Sequence, residues 1–127
     1  ISISRNADET ETPIPEDISA LKDKVTRKIE ELKKNGEEFP QKELFRKKLD
    51  NFYRNTSDPD GLALQLYQCG VLNETQNEKV KKETLDYDKN NILYDIVLSK
   101  GAVLELLPAL KKSGNENILT LIDELAS

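Results

Sequence analysis

Apolar residues in this chain arrive in short runs with helical spacing, and four of those runs are closed by a glycine: Gly36, Gly70, Gly101 and Gly114. A glycine at the end of a 3.6-residue pattern reads as a helix stop, because it takes the left-handed cap geometry without a Cβ penalty. The chain is therefore predicted to be a series of amphipathic rods. The short ones cannot bury an apolar stripe alone, so they must shelter one another in a bundle.

The first rod is the longest. From Pro15, preorganised for a first helical turn, apolar positions recur at Ile18, Leu21, Val25, Ile29 and Leu32, spaced 3, 4, 4 and 3. Residues 1–13 ahead of it are polar, acidic and unpatterned, which predicts a mobile tail. A second helix is expected from Gln41 to Arg54, with Leu44, Phe45, Leu49, Phe52 and Tyr53 on one side and Glu43, Arg46, Lys47, Asp50 and Arg54 on the other. The Glu43–Lys47 and Asp50–Arg54 spacings are those of i,i+4 ion pairs. Asp58 can cap, and Pro59 can start, a third helix that carries Leu62, Leu64, Leu66 and Tyr67 and stops at Cys69-Gly70. Asn73 and Gln76 have the spacing of a capping box for a short fourth. Three more follow: one with Ile92, Leu93, Ile96 and Val97, one over "AVLELLPALKK", and one with Ile118, Leu121, Ile122 and Leu125 on a face. No segment alternates with period two, so no sheet is expected. The fold class is all-α: one long preface helix and six shorter ones.

With 127 residues the chain is long enough for about one domain with a single core. It has no His and a single Cys, which removes imidazole bases, Cys/His pairs and His-containing zinc sets. No glycine-rich phosphate loop or calcium-loop motif occurs. A non-enzymatic protein without cofactor or metal is expected. A net charge of −5 argues against nucleic acid, which needs a basic surplus. The longest apolar run, "AVLELLPAL", is broken by Glu105 and is far too short for a bilayer, so no membrane partner is expected. The lone thiol suits a reducing, cytoplasmic compartment. Cys69 itself is expected to be a buried or half-buried small apolar residue at a helix end. Two asparagine sequons, at Asn55 and Asn73, fall where caps and turns need such residues anyway. The chain lacks Met altogether, the initiator included, and reads as a piece of a longer protein.

The order of these pieces is distinctive. Cys69-Gly70-Val71-Leu72-Asn73 is followed by Leu93 to Leu98 with Lys100-Gly101, then by Ser113-Gly114-Asn115-Glu116-Asn117-Ile118-Leu119. This succession resembles helices two to six of a caspase recruitment domain (CARD), a six-helix antiparallel Greek-key member of the death-fold superfamily. Gln41 to Arg54 stands as the first helix, so the resemblance covers about residues 39–127. The preface helix, residues 14–36, lies outside it. The fifth helix departs from the family: Leu106 and Leu107 stand where an aromatic is usual, and Pro108 sits inside, deleting the bond to Leu104 and implying a kink.

The resemblance implies a module that recruits other CARD-containing proteins, whether caspases, adaptors or nucleotide-binding scaffolds, in apoptotic or innate-immune signalling. In that family a basic face on helices one and four commonly meets an acidic face on helices two and three. Here Arg46, Lys47 and Arg54 would supply the basic face, and Asp58, Asp60, Glu74 and Glu78 the acidic one. Both halves on one chain would also permit head-to-tail self-association. On the fourth helix Asp86, Asp88 and Asp95 outnumber Lys89, which weakens its basic half. The competing expectation is a helical-bundle adaptor unrelated to the death fold, binding its partner through the helix at residues 16–35.

Overall fold

The computed structural model describes residues 13–127, and among these all regular structure is helical, with no strand. Seven helical segments follow one another, the second broken in two. They are α1 (Pro13–Lys34), α2 (Pro40–Phe45), a 3-10 turn (Arg46–Lys48), α3 (Leu49–Asn55), α4 (Pro59–Gln68), α5 (Glu74–Lys82), α6 (Asp86–Lys100), α7 (Val103–Lys112) and α8 (Glu116–Ala126). The expected tail lies outside the described residues except for Pro13, where α1 already begins.

Ile18, Leu21, Val25 and Ile29 of α1 are buried, Leu32 is partly so, and all belong to the single core cluster. The stripe is covered by α2, α7 and α8, against which α1 packs. Lys24 at the margin of this contact donates to Asp123 on α8 over 2.7 Å. Burial at this level is worth on the order of 2 kcal/mol per aliphatic side chain.

The continuous helix expected over Gln41–Arg54 is instead interrupted at Arg46–Lys48. In an unbroken helix the seven steps from Phe45 to Phe52 would rise about 10.5 Å along the axis. The break lets both rings stack with centroids 4.7 Å apart in the fully buried centre, beside Tyr94. α3 packs chiefly on α6, and α4 on α7 and α5.

Helix ends follow the sequence signals closely. Asn73 Oδ1 accepts from Gln76 N–H at 2.8 Å, and Gln76 Oε1 accepts from Asn73 N–H at 2.9 Å, completing the capping box. Through Pro108, α7 runs on as one α-helix. The expectation that Cys69 is buried or half-buried fails, and it has exposed neighbours on α4. Leu64 and Tyr67 are exposed, since Leu62, Ala63 and Leu66 already fill the core-facing side of α4. Cys69 is also exposed: it is the last cap residue of α4, and the chain turns inward only at Val71 and Leu72.

Candidate partner-binding surface

Arg46 and Lys47 occupy the 3-10 turn, and both are exposed. Glu43, in α2, takes its i,i+3 neighbour Arg46 and not Lys47: Arg46 Nε donates to Oε1 and an Nη to Oε2, each at 3.0 Å. This two-point bond holds the Glu43 carboxyl below the usual carboxylate range and raises Arg46 in return. Lys47 and the neighbouring Lys48, which sequence reasoning left aside, have no ion pair among the described residues. Arg54, in the last turn of α3, is held by Asp50 through an Nε–Oδ2 contact of 3.0 Å, as the i,i+4 spacing implied. Asp50 also accepts from the Tyr87 hydroxyl at 2.7 Å, and that bond raises the Tyr87 phenol.

On the acidic side, Asp58 works as the α4 cap, accepting from Gly61 N–H at 3.2 Å from a left-handed backbone with φ 50°. Asp60 is paired with Lys89 of α6 at 3.0 and 3.1 Å. Glu74 and Glu78 are exposed on α5 and have no ion pair among the described residues. They share that helix with Lys79, Lys81 and Lys82.

Of the seven charges singled out in the sequence, Arg46, Arg54 and Asp60 are thus neutralised within the chain, and Asp58 is engaged as a cap. Lys47, Glu74 and Glu78 have no ion pair among the described residues. Charge pairs this exposed add little to stability, and their effect lies in setting which charges stay available. The α3–α6 and α4–α5 contacts place the two sets on separate helix pairs.

Sequence reasoning missed Phe39, which is 60% exposed in the link between α1 and α2. The only signal was an aromatic in "GEEFP" with no apolar neighbour at helical spacing. Among the described residues no group of three or more Cys, Asp or Glu side chains is clustered to hold a metal ion, and no helix is long and apolar enough to cross a membrane. Compared with protein-family models, with curated proteins and with solved structures, the chain shows no significant match to any of the three.

Proposed function

We propose that this chain is a CARD-type recruitment module of the death-fold superfamily, acting in the cytoplasm by association with CARD-containing proteins in cell-death or innate-immune signalling, without chemistry of its own. One observation carries the reading. Residues 40–126 form six helical segments in the expected order, with helix ends at Gly70, Gly101 and Gly114 where the resemblance needs them. The pairing of α3 with α6 and of α4 with α5 supports it further, since these are helices one with four and two with three. Within the proposed contact, the uncommitted charges carry recognition: Lys47 on one face, Glu74 and Glu78 on the other. Arg46 and Arg54 contribute after exchanging Glu43 and Asp50 for a partner's carboxylates.

Mixing the protein with isolated CARDs at low salt, with Lys47→Glu and Arg46→Glu as variants, tests the reading. Binding that is lost on charge reversal and weakened by salt supports it. Binding indifferent to both substitutions removes the basic face.

The adaptor alternative, with α1 as the binding element, has less to offer a partner, because the apolar stripe of α1 is already spent on its own bundle. Its exposed side is polar and includes Arg27 and Glu30. Reversing those two charges leaves the core intact and separates the readings: CARD binding should be unchanged.

A further inference from the structure

The link from α1 to α2 puts Phe39 on the surface, with Lys42 Nζ above its ring at 5.4 Å from the centroid. Beside it, between α2, the 3-10 turn, α3 and α6, opens a hollow of about 510 Å³. That volume lies within the range of small binding sites. Leu49, Tyr53 and Leu98 give it an apolar lining. Four carboxylates, those of Glu37, Glu38, Glu43 and Asp95, line it against two cations, Lys42 and Arg46. Both cations are engaged, Lys42 by the Phe39 ring and Arg46 by Glu43. Glu37, Glu38 and Asp95 have no ion pair among the described residues. The unbalanced charge around this apolar floor is therefore negative.

We propose that the hollow is a docking site for a partner-protein segment in which a bulky aliphatic or aromatic side chain is flanked by Lys or Arg. The apolar side chain packs on Leu49, Tyr53 and Leu98 with Phe39 as its wall, since an exposed aromatic beside a pocket is the kind of anchor that dominates interfaces. The flanking cations meet Glu37, Glu38 and Asp95, which steer a basic segment in and repel an acidic one. Of the recruitment residues only Arg46 lines the hollow, while Lys47, Arg54, Glu74 and Glu78 do not, so this site goes beyond the recruitment reading and is tested apart from it through residues outside that face.

Fluorescence anisotropy with a labelled ten-residue peptide of alternating Lys and Leu tests the site, with a Lys/Ser peptide of equal charge as control. The Lys/Leu peptide is expected to bind at least tenfold tighter than the control at low salt, with amide shifts gathered at Phe39, Tyr53, Asp95 and Leu98. Phe39→Ala and Asp95→Lys should each weaken it about tenfold, equivalent to about 1.4 kcal/mol. Asp95→Asn, which keeps the side-chain shape, should weaken it in the same direction. Lys47→Glu should not weaken it, although the recruitment reading expects that variant to lose CARD binding, so failure of either proposal is visible without the other. Equal binding of both peptides, absence of binding, indifference to Phe39→Ala and Asp95→Asn, or shifts centred elsewhere would each overturn the site.

Discussion

The corners at Gly36, Gly70, Gly101 and Gly114 are built from their own sequence, whereas the corner between α3 and α4, at Asn55–Asp58, is built by side chains from the far end of the chain. In each glycine corner the residue after the glycine donates its N–H to a carbonyl five residues back. The four bonds are Glu37 to Leu32, Val71 to Leu66, Ala102 to Val97 and Asn115 to Leu110, all between 2.8 and 3.0 Å. Such a closure needs only the preceding turn and a left-handed glycine, and Gly70 and Gly101 supply it with φ 89° and 67°. The other corner has no glycine. Asn115 Oδ1 accepts from Ser57 N–H at 2.7 Å, and its amide nitrogen donates to Ser57 C=O at 2.9 Å. Asn90 donates to the carbonyls of Tyr53 and Thr56, both at 2.9 Å, and the Thr56 hydroxyl meets Tyr94 OH at 2.7 Å. Asn117 donates to Asn55 C=O at 3.0 Å. A local corner can form with its helix; the remote one closes only once α6 and the α7–α8 turn have arrived. Because α3 ends in this corner, the placement of Arg54 and Asp58 depends on it.

The largest test of this contrast is Asn115→Ala, which keeps the backbone bond that closes the Gly114 corner and strips the side-chain bonds from Ser57. A loss of about 3 kcal/mol in urea unfolding is expected, the scale of several partly buried polar groups left unpaired. A loss below about 1 kcal/mol would mean that the remote corner is held by something else. Next comes Gly101→Ala. A Cβ there would meet only the Gln41 amide, 3.8 Å away, so the expected cost of about 1.5 kcal/mol is the backbone strain of a left-handed alanine. An insensitive Gly101 would break the local half of the comparison.

Tyr94→Phe should cost about 1 kcal/mol at neutral pH by removing the bond to Thr56. It also carries a pH signature. Burial pushes the Tyr94 phenol well above its ordinary range, against a smaller opposing effect from the Thr56 bond. Above about pH 10 the unfolded chain releases this proton while the folded chain keeps it, so stability falls as pH rises. Thermal melts from pH 8 to 11 should show a shallower decline in the variant. The smallest effect belongs to Asp58→Gly, which loses the cap bond to Gly61 but relieves a left-handed non-glycine backbone. The two changes nearly cancel, within about 0.5 kcal/mol.

Helix order, the four glycine stops and the Asn73–Gln76 capping box were legible because each depends on residues within one turn. The break at Arg46–Lys48 was not, since nothing between Gln41 and Arg54 is a helix breaker and the interruption serves the stacking of Phe45 on Phe52. In the candidate site the sequence reading picked the i,i+4 partner of Glu43, Lys47, where the structure pairs it with the i,i+3 partner Arg46. Asp60 looked available because Lys89 lies 29 residues away in the chain. Nothing in the sequence marked Asn90 and Asn115 as the buried amides that hold a distant corner.

By itself, the sequence determined that this chain is a set of amphipathic helices, where most of them stop and which stripes are apolar. Those properties follow from backbone preference and spacing over a few residues. Only the tertiary structure decided that α1 spends its stripe on the bundle, that distant amides hold the α3–α4 corner, and which charges are left without an ion pair among the described residues. Each of those outcomes is an encounter between side chains far apart in the chain, and the free charge at the surface is what remains after the encounters have been made.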